Sequence, residues 1–142
     1  MKETLKPGLT FSFNYTVPED KTVPYLFTEF EELALMPKVF ATGFMVGLFE
    51  CACIQALNPH LDWPEEQTVG IGIDASHLAA TPPGFTITVR GTLTKVEGKK
   101  LTFSIEADDG ADKISEATHV RYVIKADKFN AAVAEKARKQ AE

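Results

Sequence analysis

One stretch of this chain restricts its fold more than any other. From Val39 to Leu57 the sequence reads VFATGFMVGLFECACIQAL, apolar nearly all round, with Pro37 just ahead and Asn58-Pro59 just behind. A helix with no polar face either spans a membrane or is buried inside a folded domain. This segment is barely long enough to span, Glu50 stands near its middle, and no positively charged flank marks either end; all three features disfavour a membrane. A buried central helix is the expectation. Gly43, Gly47 and Cys51 recur every four positions and predict a narrow strip along which a sheet approaches the helix backbone. Each glycine costs a helix about 1 kcal/mol relative to alanine, so a return in packing or function is expected.

The rest of the chain supplies the sheet. Phe11, Phe13, Tyr15 and Val17 share one parity. The same holds for Val69, Ile71 and Ile73; for Phe85, Ile87, Val89 and Leu93; for Leu101, Phe103, Ile105 and Ala107; and for Val120, Tyr122 and Ile124. Alternation of this kind marks half-buried strands. Thr81-Pro82-Pro83-Gly84, Glu97-Gly98-Lys99-Lys100 and Asp108-Asp109-Gly110 are turn chemistry, and such connections predict that the last four strands form an antiparallel meander. One helix wrapped by one curved antiparallel sheet is the hotdog architecture, an α+β fold. With 142 residues, 44% of them hydrophobic, the chain suffices for a single domain over 1–142 with a proper core. A run from Lys128 to about Gln140, opened by Asp127 and placing Phe129, Ala132, Val133 and Ala137 on one side, predicts a C-terminal surface helix. Residues 21–38 carry Tyr25, Leu26, Phe27, Phe30, Leu33 and Met36 without a regular period, as a lid over a site would.

Charge and cysteine usage narrow the partners. A formal charge of -5 argues against neutralising phosphates, and so against a nucleic-acid partner. Cys51 and Cys53 are too few and too close together for a secreted disulfide framework, and no basic start followed by an apolar run opens the chain. The expectation is a cytoplasmic protein with no membrane partner.

Three residues stand out as chemistry. Glu50 is the only acidic or basic side chain between Lys38 and His60, thiols apart. An unpaired buried carboxylate costs several kcal/mol, so Glu50 must be paired, shifted in pKa or facing a pocket or interface. The alternative is a purely structural ion pair or cap. Thr42, at the start of the same helix, is either an N-cap or a site hydroxyl; eight residues from Glu50, it projects within about 80° of it. His77 continues the parity of Val69, Ile71, Ile73 and Ala75, toward the helix or a cleft beside it. It is either a satisfied core histidine or an imidazole serving a carboxylate and a hydroxyl, a combination suited to acyl transfer. Val69-Gly70-Ile71-Gly72 precedes a strand instead of a helix, so it is no dinucleotide loop. Cys51 and Cys53 point to opposite sides of a helix, and His60, His77 and His119 lack ligand spacing; no metal is expected.

The stretch from Val39 to Leu48 followed by Glu50, with His77-Leu78-Ala79-Ala80-Thr81-Pro82-Pro83-Gly84 downstream, resembles the fluoroacetyl-CoA thioesterase family. The likeness continues through Val96-Glu97-Gly98, Asp109-Gly110, Thr118-His119 with Arg121, and Phe129-Asn130. The resemblance implies a hotdog-fold, typically homodimeric hydrolase of acyl-CoA thioesters, with no metal and no cofactor beyond the coenzyme A of its substrate. It implies Thr42, Glu50 and His77 as catalytic residues, a backbone contact from Gly70 to the acyl part, and a substrate contact from Arg121. Read alone, Arg121 is a solvated charge on a strand's polar face. Where the family's fluoroacetyl-specific member has gate phenylalanines, this chain has Leu33 and Met36. These are apolar but more adaptable, so a broader or different small acyl group is expected as well as fluoroacetyl.

The resulting expectation is hydrolysis of a short acyl-CoA to free acid and CoA. Glu50 serves as nucleophile or as the base that activates water, His77 moves protons, and Thr42 positions the carboxylate or acyl group. A non-catalytic acyl-CoA binder and a hotdog dehydratase or hydratase are the alternatives on the same fold.

Overall fold

The alternating runs become five strands, and the apolar stretch becomes the helix they enclose. The computed structural model describes residues 1–141; the last position of the expected 1–142 domain lies outside the described residues. In chain order the elements are β1 (Thr10–Thr16), α1 (Thr42–Leu57), β2 (Glu66–Ala75), β3 (Thr86–Glu97), β4 (Lys100–Asp108), β5 (Lys113–Lys125) and α2 (Ala126–Ala141). The strands form one antiparallel sheet in the order β1-β3-β4-β5-β2. With α1 against one face of it, this is the hotdog arrangement. The meander is shorter than expected. Glycines with φ of +63° and +87°, Gly98 and Gly110, turn β3 into β4 and β4 into β5. β2, however, pairs with β5 at the far edge. Residues 76–85 are too long for a tight hairpin and carry the chain across to β3.

α1 turns its bulky side to the sheet. Met45, Leu48, Phe49, Ala52, Cys53 and Leu57 are buried and join a core with Ile87, Val89, Leu93, Leu101, Phe103 and Ile105. Large apolar side chains remove the most surface from water, so they win the sheet-facing side. The strip of Gly43, Gly47 and Cys51 therefore faces away from it, against expectation. Cys51 is exposed, a β-carbon on Gly47 would meet nothing within 4 Å, and one on Gly43 would lie 3.1 Å from Leu26 Cδ2. Leu26 belongs to the 21–38 segment, which is organised by 3-10 turns at Glu19–Lys21, Val23–Tyr25 and Glu31–Leu35. Its Tyr25, Phe27, Phe30, Leu35 and Met36 are exposed.

Two strands depart from the expected parity. On β5 the buried residues are Ile114, Ser115, Ala117, His119, Arg121 and Val123, while Val120, Tyr122 and Ile124 face outward or lie half-buried. On β2 the register slips between Gly70 and Gly72. Gly70 opposes Arg121, but Ile73 opposes His119, so the inward set changes from even to odd numbers across the bulge. A period-two reading of Val69, Ile71 and Ile73 runs straight through that change. α2 begins directly after β5 at Ala126, whose N–H donates to Glu65 O at 2.9 Å, two residues before the expected start. None of its residues is buried.

The pairing of β1 with β3 depends on one close approach. Phe11 opposes Gly91, and a β-carbon on Gly91 would fall 2.2 Å from Phe11 Cζ. The ring lies over the glycine and meets Phe103 edge-on, with centroids 6.0 Å apart. Gly91→Ala should therefore destabilise the fold by about 1–3 kcal/mol through overpacking. In a Phe11→Ala background the same change should cost almost nothing, as denaturant unfolding of the four proteins of that cycle would show.

Candidate active site

The first turn of α1 and the chain just beyond β2 meet at one side-chain contact. Ala41 takes the N-cap position and no side chain caps the helix, so the Thr42 hydroxyl is released from that role. Thr42 Oγ1 lies 2.7 Å from His77 Nδ1. Past the end of β2, Ser76 N–H donates to Glu116 O and Leu78 N–H to Ile114 O; these bonds keep His77 alongside β5. The loop is braced from below. Buried Thr81 donates to Asp109 Oδ2 at 2.7 Å, and Asp109 Oδ1 accepts from the N–H groups of Ala111 and Asp112. Burial pulls the Asp109 pKa up, but the hydrogen bonds from Thr81, Asp112 and Ala111 outweigh it and hold the carboxyl below its ordinary value. Phe40 N–H donates to Thr81 O at 2.8 Å, tying this brace to the start of α1. Burial pushes the His77 pKa down, which favours the neutral ring, and His77 Nε2 is buried with no partner among the described residues.

The second cluster surrounds Glu50. Arg121, with a side chain 3% exposed, donates from Nη1 to Glu50 Oε1 at 3.0 Å, while the Glu50 side chain is 41% exposed. Arg121 also donates from Nε to Thr68 Oγ1 and from Nη2 to Thr68 O, both at 2.8 Å. Its Nη1 lies 3.1 Å from His119 Nε2. Far from a solvated charge, Arg121 is a buried guanidinium whose hydrogen bonds compensate its desolvation. Glu50 Oε2 takes no hydrogen bond among the described residues, which leaves that oxygen available to a reactant. Gly70 closes the cluster: a β-carbon there would stand 2.4 Å from Glu50 Oε1 and 3.3 Å from His119 Cε1.

Within this chain these are two clusters. No hydrogen bond or ion pair joins Glu50 to Thr42 or His77, and eight helical residues separate Thr42 from Glu50 by about 12 Å along the axis. Of the expected gate residues, Leu33 is half-buried and Met36 is 47% exposed. Sequence pattern does not single out Thr68; the parity that His119 and Arg121 share with Ala117 and Val123 is the signal that finds His119. Cys53 is buried, and burial pushes its thiol up to about 12, which makes it inert. Among the described residues, no three His, Cys, Asp or Glu side chains gather where they could hold a metal ion, and no helix is long and apolar enough to cross a membrane. A groove of about 850 Å³ on the other face of the sheet, lined by Thr10, Ser12, Arg90, Ser104 and Glu116 among others, includes none of the site residues.

A family model for fluoroacetyl-CoA-specific thioesterase matches residues 19–127. The chain belongs to this family. The fluoroacetyl-CoA thioesterase of Streptantibioticus cattleyicolor is 48% identical over 136 residues, 96% of this chain and 97% of that protein. The solved structure of the fluoroacetyl-CoA thioesterase FlK superposes with a TM-score of 0.91 at 47% identity, covering 94% of this chain and 98% of that one. A serine-for-threonine variant of FlK in complex with acetyl-CoA superposes at 0.90, with 47% identity over 93% and 98% of the two chains.

Two outcomes follow from this geometry. Gly70→Ala should displace the Glu50 carboxylate and lower activity by about 100-fold or more with the fold retained, as circular dichroism and turnover would show together. His77 should titrate below the ordinary imidazole value of about 6.5 in an NMR pH series. Because the fold favours its neutral form, the stability it contributes is fully present above that unfolded value and is lost as pH falls from there through the lowered folded one.

Proposed function

We propose that this chain hydrolyses the thioester of a short acyl-CoA, fluoroacetyl-CoA or a related small acyl group, to the free acid and CoA. One observation carries the reading: a half-exposed carboxylate whose Oε1 is pinned by buried Arg121 while Oε2 stays free. Oε2 of Glu50 either attacks the thioester carbonyl carbon or takes a proton from the water that does. In both routes the C–S bond breaks, the departing sulfur gains a proton and water supplies the acid oxygen. His77, neutral and bonded to Thr42, carries the proton. Thr42 orients the imidazole or the acyl group, and Gly70 presents its backbone to the acyl part. Arg121 holds Glu50 and contacts the substrate. Leu33 and Met36 flank the acyl group from the lid, where their flexibility suits a wider range of small acyl chains than a pair of phenylalanines would. The reaction needs no metal and no cofactor beyond the substrate's own CoA.

The reading includes a cytoplasmic homodimer of single hotdog domains spanning 1–142. β2 is an edge strand with Ile71 and Ile73 exposed, a surface suited to pairing with a second copy. Such pairing offers a way to bring the Thr42–His77 pair of one protomer to the carboxylate of the other.

Free-thiol release from fluoroacetyl-, acetyl-, propionyl-, branched and aromatic acyl-CoAs tests the activity. Glu50→Gln should lower turnover by about 10²–10⁴-fold with unchanged unfolding, and near-normal turnover in that variant would sink the assignment. Hydration of an enoyl-CoA without thiol release would replace it with the hydratase reading, and CoA-ester binding without either reaction with the binder. If each site draws on both protomers, Glu50→Gln and His77→Ala proteins mixed under subunit exchange should recover about a quarter of wild-type activity, the statistical share of intact sites in a dimer.

A further inference from the structure

We infer that His119 is a positioning residue for the reaction: it fixes the Arg121 guanidinium, and through it Glu50, without touching substrate. The ring is 2% exposed, and both of its nitrogens are engaged. Nδ1 lies 2.9 Å from the carbonyl of Gly72, which only accepts, so Nδ1 carries the hydrogen. Nε2 lies 3.1 Å from Arg121 Nη1; a guanidinium only donates, so Nε2 offers its lone pair. The two partners independently require the same neutral tautomer. Burial, the largest influence on this imidazole, and the adjacent Arg121 cation also favour the neutral ring, while the Gly72 bond and the Glu50 carboxylate oppose them.

The consequence lies at Nη1. Its two hydrogens go to Glu50 Oε1 and His119 Nε2, while Nε and Nη2 are tied to Thr68. Remove the His119 acceptor and one hydrogen of a buried cation loses its partner, which frees the group to turn away from the carboxylate. The Gly72 carbonyl that orients the ring comes from the β2 bulge. The bulge therefore reaches the carboxylate along two routes, directly at Gly70 and through His119 and Arg121. A ring that merely filled space would need neither polar partner.

Three substitutions separate these roles. Glutamine extends an acceptor toward the Nε2 position, asparagine keeps only a donor for Gly72, and phenylalanine keeps only the volume. His119→Gln should hold kcat within about threefold, whereas His119→Asn and His119→Phe should lower it about tenfold or more, with KM within about twofold in all three. A glutamine variant as slow as the asparagine variant would overturn the inference. Where a variant does not fold, the unmutated protein still decides: side-chain ¹⁵N shifts should show His119 protonated at Nδ1 and bare at Nε2 near neutral pH, and the opposite tautomer would refute the assignment. The kcat comparison rests on the proposed thioesterase activity. If the unmutated protein releases no thiol, that reading fails. The tautomer, together with slowly exchanging Arg121 Nη hydrogens in the glutamine but not the asparagine variant, still decides the role of His119.

Discussion

A helix with no polar side must be covered all round, and one sheet covers only half of it. The rest of this structure answers that constraint. The bulky residues of α1 take the sheet, from Met45 to Leu57. Leu26 of the 21–38 segment sits over Gly43, and the remaining strip, with Thr42 and Cys51, stays exposed. That open side is where the proposed substrate would reach the helix. The residues that carry the proposed chemistry lie at its two ends.

The polar half of the site is built on the sheet, and there the decisive feature is an irregularity. A regular β2 would keep one parity along its length. The slip between Gly70 and Gly72 brings the Gly70 backbone against the Glu50 carboxylate and aims a carbonyl at His119. Arg121 then joins carboxylate, imidazole and Thr68 in a chain of charge-assisted bonds. Burying a guanidinium is costly unless its donors are met, and hydrogen bonds meet four of its five N–H groups here. The same bonds fix which oxygen of Glu50 is held and which is free.

Much of this was legible in the sequence, for identifiable reasons. The buried helix and the positions of β1, β3 and β4 follow from local apolar pattern, which the structure keeps. Glu50 was legible because a lone carboxylate in an apolar run demands a partner, and His77 because a histidine extends an inward parity. The failures have one source: local pattern carries no information about which strands pair. The far-edge place of β2 depends on the long 76–85 connection, and apolarity alone points β5 the wrong way because Val120, Tyr122 and Ile124 are more apolar than the His119 and Arg121 that actually turn inward. Arg121 looked like a surface charge for the same reason. Its partners lie on α1 and β2, far away in the chain, and only the fold brings them together.

The spacing of Thr42 and Glu50 on one helix has a consequence for how such a protein can change. A rigid helix acts as a ruler: inserting a single residue between the two would rotate one against the other by about 100° and shift it about 1.5 Å. The distance between the two polar ends of the site is thus closed to gradual adjustment, whereas residues 21–38, held by short turns and carrying exposed side chains, can vary one position at a time. Change of one side chain at a time is therefore far easier in that segment than any change of spacing along the helix beneath it.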